Sequence, residues 1–464
     1  MPPAVPARAR LERSLPVLGA FAVGAIAYGG LYCFPPISVA LAADFGVNRT
    51  LAVLPWTVFL LVSGLSSPLL GRAYDIFFDR QLLTAGLLLL AGGWVVVSVA
   101  PDVSTLVIGY GLLLAVGLEL VFVGTTTAIA RRYAGVAGLA LGLAYAGPGI
   151  GVAVALPIVT QLMAAAGWRS VTAGFAGLSL LGLPFVWLMT SGPAILVPAR
   201  ERASRQPAAE APHAAHRELP ETLHDAREAH EALHETSAPG AVAAAWEPLP
   251  PGSQPRAAGL RRTLRTRRFW ILFTGALAIG TVDEGLFQTF LPNATGRGIP
   301  EGIAATGLGL ESLAYVVGQV TGGALSDRFG RRFVGLGVAL LMALGASAAF
   351  LAGGTTPWLA LGGIVVHGFG IGATIAVRSA AFSDVFGGHS FGAIFGVLAV
   401  AYPLGGIVAV QAGALSVDRL GTYLPVLGLI LGAIALWAVA LAVAGPRRHG
   451  LRARLARLPG RRPA

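Results

Sequence analysis

Lysine is absent from this chain of 464 residues, so all 33 of its basic side chains are arginine. That absence excludes the phosphate-binding loop Gly-x-x-x-x-Gly-Lys, whose lysine must reach the nucleotide phosphates. A single cysteine, Cys33, excludes an internal disulfide and any Cys-rich metal centre. Charge is scarce as well. Only 12% of residues carry it, against roughly 25% in soluble domains.

What fills the space is apolar. Hydrophobic residues make up 55% of the chain, in runs longer than the roughly 18 residues that mark a membrane span. This is the pattern of an all-α polytopic membrane protein. The net charge of +11 is no nucleic-acid footprint, because the arginines cluster at span ends. Arg8, Arg10 and Arg13 precede the first run in the manner of a secretory signal. That run continues to about Ala43 without a cleavage site and reads as a retained first span.

The pattern predicts spans over 15–43, 51–71, 81–100, 103–130, 136–166 and 168–191, then 268–292, 303–325, 332–352, 357–378, 390–416 and 421–445. Twelve spans in two sets of six imply a cytoplasmic segment 1–14, a first lobe 15–191, a linker 192–265, a second lobe 266–445 and a basic tail 446–464. With both termini cytoplasmic, only Arg49, Arg169, Arg297 and Arg419 fall outside, and the other 29 face the cytoplasm.

The halves are copies. Gly71, Asp75 and Arg80 recur as Gly323, Asp327 and Arg332, each shifted by 252. Gly142, Gly167 and Pro148 recur as Gly396, Gly421 and Pro403 at 254 or 255. A near-constant offset across independent landmarks is the mark of duplicated six-span lobes.

The segment GGALSDRFGRR (322–332), with Gly323, Asp327, Arg328, Arg331 and Arg332, resembles the loop signature of the major facilitator superfamily. Its first copy, GRAYDIFFDR (71–80), departs from it at Ile76 to Phe78. Gly71, Asp75, Arg80 and their partners then read as gating loops, a latch on one conformation of the lobes. GLALGLAYAGPGIG (138–151), GWR (167–169), FPP (34–36) and SDVFGGHSFGAIFG (383–396) are similar to the oxalate–formate and monocarboxylate carriers of that superfamily. Gly147-Pro148-x-x-Gly151 also looks like a fifth-span signature of antiporters. Gly142, Gly147, Pro148, Gly151 and Pro403 are read as helix-packing positions, because glycine lets helices approach and proline lets them bend.

One motif pulls another way. His230-Glu231-x-x-His234 fits the zinc-protease pattern. Around it, 192–265 is rich in Ala, Pro, Glu, Arg and His and poor in large apolar residues, too little to fold alone. With no third ligand in sight, the match reads as an accident of composition in a disordered linker. No metal or cofactor is expected.

An ionisable group at mid-membrane costs roughly 2.5–3.5 kcal/mol, so the few present are informative. Glu119 lies in span 4, Asp283 and Glu284 in span 7, Glu311 in span 8, and His367 in span 10. The superfamily resemblance implies that spans 1, 4, 7 and 10 line a central cavity, where span 1 offers Tyr28 and Tyr32. Helical spacing predicts wet stripes at Thr281, Glu284 and Gln288; at Glu311, Tyr315 and Gln319; and at His367, Thr374 and Arg378. Where carboxylate carriers are expected to place bases in spans 8 and 11 or lysine in span 1, this chain has none. Only His367 and Arg378 could meet a carboxylate, and the cavity reads as acidic.

The expectation is a monomeric secondary transporter, not an enzyme, sitting in the bilayer of a cell membrane. It carries a small organic solute, a monocarboxylate or related metabolite, by alternating access with protons as coupling ion. The alternatives are a proton antiporter that exports drugs or cationic compounds, and a nutrient sensor that does not transport.

Overall fold

The computed structural model describes residues 7–132, 137–190, 260–386 and 391–446. The linker with His230 and His234 lies outside them, as does Gly396's side chain. Among the described residues no group of three or more His, Cys, Asp or Glu is placed to hold a metal, and every regular element is helical.

Ten helices are long and apolar enough to cross a membrane. They comprise span 1 (Ser14–Phe45), span 3 (Asp79–Ser98), span 4 (Val103–Ile129), span 7 (Arg267–Gly296), span 8 (Glu301–Phe329), span 9 (Arg331–Leu351), span 10 (Pro357–Phe386), span 11 (Val397–Leu420), span 12 (Leu424–Ala444) and the long stretch Gly142–Thr190. Gly167, at φ 76°, breaks that stretch into spans 5 and 6. Leu54–Ile76, apolar over Leu54–Ser67, supplies span 2. Twelve spans result.

The duplication read from the sequence reappears as packing. In the first half span 1 packs on spans 5 and 6, span 2 on span 4, and span 3 on span 4 and the span 5–6 helix. In the second, span 7 packs on 11 and 12, span 8 on 10, and span 9 on 10 and 12. Between halves, span 5 meets span 8 and span 11 meets span 2. Adding six to each number converts every contact of one lobe into one of the other.

The turns repeat too. Gly46 and Gly298 close spans 1 and 7 at φ 59° and 82°, and Gly167 and Gly421 divide 5 from 6 and 11 from 12 at φ 76° and 66°. A side chain at any of them would be strained, because left-handed backbone is costly with a Cβ. The match fails where the sequence departs. Gly330 ends span 8 at φ 94°, whereas Phe78, at the equivalent turn, keeps φ −71°.

Close approach falls where small residues allow it. A Cβ on Gly147 or Gly151 would strike the span 1 backbone at Phe21 or Ala25, and one on Gly24 would lie 2.8 Å from Pro148. Pro403 sits 2.7 Å from the Cβ position of Gly64 on the opposite lobe. Gly142 is different: a Cβ there meets nothing among the described residues.

Candidate functional site

The bundle has two ends. One carries the short helix Arg49–Ala52 after span 1; the other carries the turn at Gly330.

Between the lobes, at the Arg49 end, Asp418 of span 11 accepts the amides of Arg49 (2.8 Å) and Thr50 (2.9 Å) and the Thr50 hydroxyl (2.6 Å). One carboxylate thus satisfies donors that a helix N-terminus leaves open. Deeper in, Gln411 donates to Thr57 at 2.6 Å. Deeper still, Trp56 Nε1 of span 2 donates to Glu284 Oε2 of span 7 at 2.9 Å. Among the described residues, these bonds between the lobes lie in the Arg49 half.

Glu284 is 2% exposed, and Gln288 also donates to it at 3.4 Å. An aromatic cluster surrounds the pair. Tyr28 stacks on Tyr32 at 5.7 Å, and Tyr32 meets Trp56 and, across the lobes, Phe287 at 5.4 and 5.5 Å. Phe34 and Phe59 stack on Trp56.

Glu311 bonds His367 Nδ1 at 2.9 Å, binding span 8 to span 10. The wet stripe expected at His367 and Thr374 is corrected here. His367 and Thr374 are both fully buried, and Thr374 meets Met342 of span 9. Helical spacing put them on one face, but that face packs on neighbouring helices. Nor do Glu284 and Glu311 bond each other; each has a separate partner.

Asp283 accepts the Tyr402 hydroxyl of span 11, and Arg378 lies over the Tyr402 ring at 5.5 Å. Tyr315 of span 8 stands within electrostatic reach of both Asp283 and Arg378. In the first lobe, Glu119 lies beside Ser63 and Ser67 of span 2 and near Tyr28.

At the Gly330 end Arg331, which opens span 9, pairs with Asp327 in the last turn of span 8 and with Asp384 of span 10 at 3.1 Å, and donates to Ser326 at 2.6 Å. Arg332 reaches the Gly445 carbonyl at 2.8 Å. Arg328 lies over the Phe329 ring, and Gly323 faces Ala376 of span 10. In the first copy Arg80 stacks over Trp187 at 3.9 Å; the side-chain environments of Gly71 and Asp75 lie outside the described residues. Span 2 runs helical to Ile76, so both sit on a helix and not in an open loop.

Sequence reasoning missed Trp56, Tyr402 and Asp418. A tryptophan near a span end reads as an interfacial anchor, and an aspartate beside Arg419 reads as a loop charge. Tyr402 carried one signal: it precedes Pro403, a position already singled out.

The profile of the Major Facilitator Superfamily matches residues 20–310 and 283–462. A tetracycline resistance protein, class C, of Escherichia coli is 30% identical over 187 residues, 39% of this chain and 42% of that protein. Monocarboxylate transporter 13 of Bos taurus and that of Rattus norvegicus are each 28% identical over 166 residues, 35% of this chain and 38% of theirs. The matches thus span about two-fifths of each relative.

Proposed function

Since the chain belongs to the major facilitator superfamily, we propose that it is a secondary transporter moving a small organic solute by alternating access, coupled to protons. It works as a monomer in a cell membrane, with the arginine-rich Gly330 end facing the cytoplasm.

The observation that carries this reading is the bond from Trp56 to Glu284. A carboxyl buried between two lobes and held by the opposite one must change partners each time the lobes rock. Loss or gain of a proton at such a group is thereby tied to the conformational cycle. The Asp418 and Gln411 bonds join the lobes at the Arg49 end, which supports the reading of a form open toward the cytoplasm.

The test is uptake into liposomes under an imposed pH gradient, the solute first found by a thermal-shift screen of organic acids, amines and sugars. Glu284→Gln is expected to abolish gradient-driven accumulation while exchange of labelled solute survives. Unchanged accumulation in Glu284→Gln, Glu311→Gln, Glu119→Gln and Asp283→Asn, one at a time, would sink carboxylate coupling and make His367 the candidate.

A second reading, export of cationic or amphipathic compounds, is favoured by the aromatic cluster beside Glu284, because ring faces attract organic cations. The names of the relatives divide the same way, between a monocarboxylate transporter and a tetracycline resistance protein.

A further inference from the structure

Most charged groups within the membrane are matched by a partner on another span. Glu284 has Trp56, Glu311 has His367, and Asp283 has Tyr402. Two are not. Arg378 lies over the Tyr402 ring, its Nε is buried without a hydrogen bond, and no carboxylate among the described residues pairs with it. Asp283 is within electrostatic reach of Arg378, but its hydrogen bond is to the Tyr402 hydroxyl. Glu119 has only hydroxyls beside it, from Ser63 and Ser67, and its Oε2 is buried without a bond.

These two charges are opposite in sign and belong to opposite lobes. Tyrosines stand by both groups: Tyr28 lies near Glu119, Tyr315 near Arg378, and the two tyrosines are within electrostatic reach of one another. Glu119 and Arg378 are not among the groups that act on each other. Charged groups at membrane depth are costly and mark ligand or ion paths.

We propose that the substrate is amphoteric, with an anionic group held by Arg378 and a cationic group by Glu119. The proposal rests on reading the space between the lobes as a transport path. Full binding then requires both lobes at once, so the cargo itself draws them together, and each of its charged ends meets a buried group of opposite sign. Aromatic faces between the two ends suit an apolar or aromatic body.

The experiment uses the purified full-length chain and two matched sets of probes: β-alanine, propionate and propylamine; and phenylalanine, hydrocinnamate and phenethylamine. Only the amphoteric member of a set is expected to raise the unfolding temperature. Arg378→Gln and Glu119→Gln should each weaken that binding about tenfold or more, with Arg378→Lys recovering part of it. An equal shift from a carboxylate or an amine alone, or no shift from either amino acid, overturns the proposal. Counterflow in liposomes separates it from the reading beneath. Accumulation of a singly charged solute would leave transport standing and the amphoteric substrate refuted, whereas binding of phenylalanine without any flux would refute transport.

Discussion

At Trp56 one indole N–H joins two lobes whose bonded residues lie 228 positions apart. Trp56→Phe keeps the stacking with Phe34 and Phe59 but leaves Glu284 buried with Gln288 as its remaining donor. The expected loss is about 1–3 kcal/mol, the cost of a buried polar group losing its partner. In a double-mutant cycle with Glu284→Leu, which removes the acceptor, the two changes should be coupled by roughly 0.5–3 kcal/mol; simple additivity in thermal or denaturant unfolding would show that the bond contributes nothing. This scale also shows what could be read in advance. Glu284 stood out from sequence because an ionisable group in an apolar run is conspicuous. Its partner did not, since no local pattern reveals which distant helix will face it. His367 fails in the complementary way: its face was legible, but what covers that face was not.

Helices and their turns were far more legible, because apolar length, arginine placement and the repeat offset are properties of the chain itself. The same logic separates two glycines of one helix. Gly151 lies against the span 1 backbone at Ala25, while a Cβ at Gly142 would meet nothing among the described residues. Gly151→Leu should force spans 1 and 5 apart and cost about 1–3 kcal/mol or more, as overpacking does. Gly142→Leu should be neutral or slightly stabilising, since leucine is the better helix former. Comparable unfolding temperatures for the two variants would remove the close-packing argument. Gly330, at φ 94°, makes a third case: Gly330→Ala should cost about 1–2 kcal/mol from backbone strain alone. Its counterpart Phe78→Gly gains no such relief, because Phe78 already has an ordinary φ of −71°. Both are measured by unfolding in detergent.

For the whole molecule the question is what holds the lobes together at one end. Asp418 joins them at the Arg49 end, where its two oxygens accept three donors from Arg49 and Thr50. Asparagine is nearly the same size, but it offers one acceptor oxygen and turns an amide N–H₂ toward donors. Asp418→Asn should therefore weaken the closed form specifically, by about 1–3 kcal/mol. If the open and closed forms are in equilibrium, a shift of about 1.4 kcal/mol changes their ratio tenfold. The readout is a cysteine at Ala52, a buried position beside the clasp, in a Cys33→Ala background that removes the only native thiol. An impermeant maleimide should label it faster once Asp418 is changed. Asp102→Asn is the control. Asp102 also caps a helix, accepting the Thr105 amide at 2.8 Å, but within one lobe, so its loss should lower stability without changing the labelling rate. Equal labelling in the Asp418 variant and its parent would mean that the clasp follows closure and does not hold it. The gate would then rest on the deeper bonds from Gln411 and Trp56.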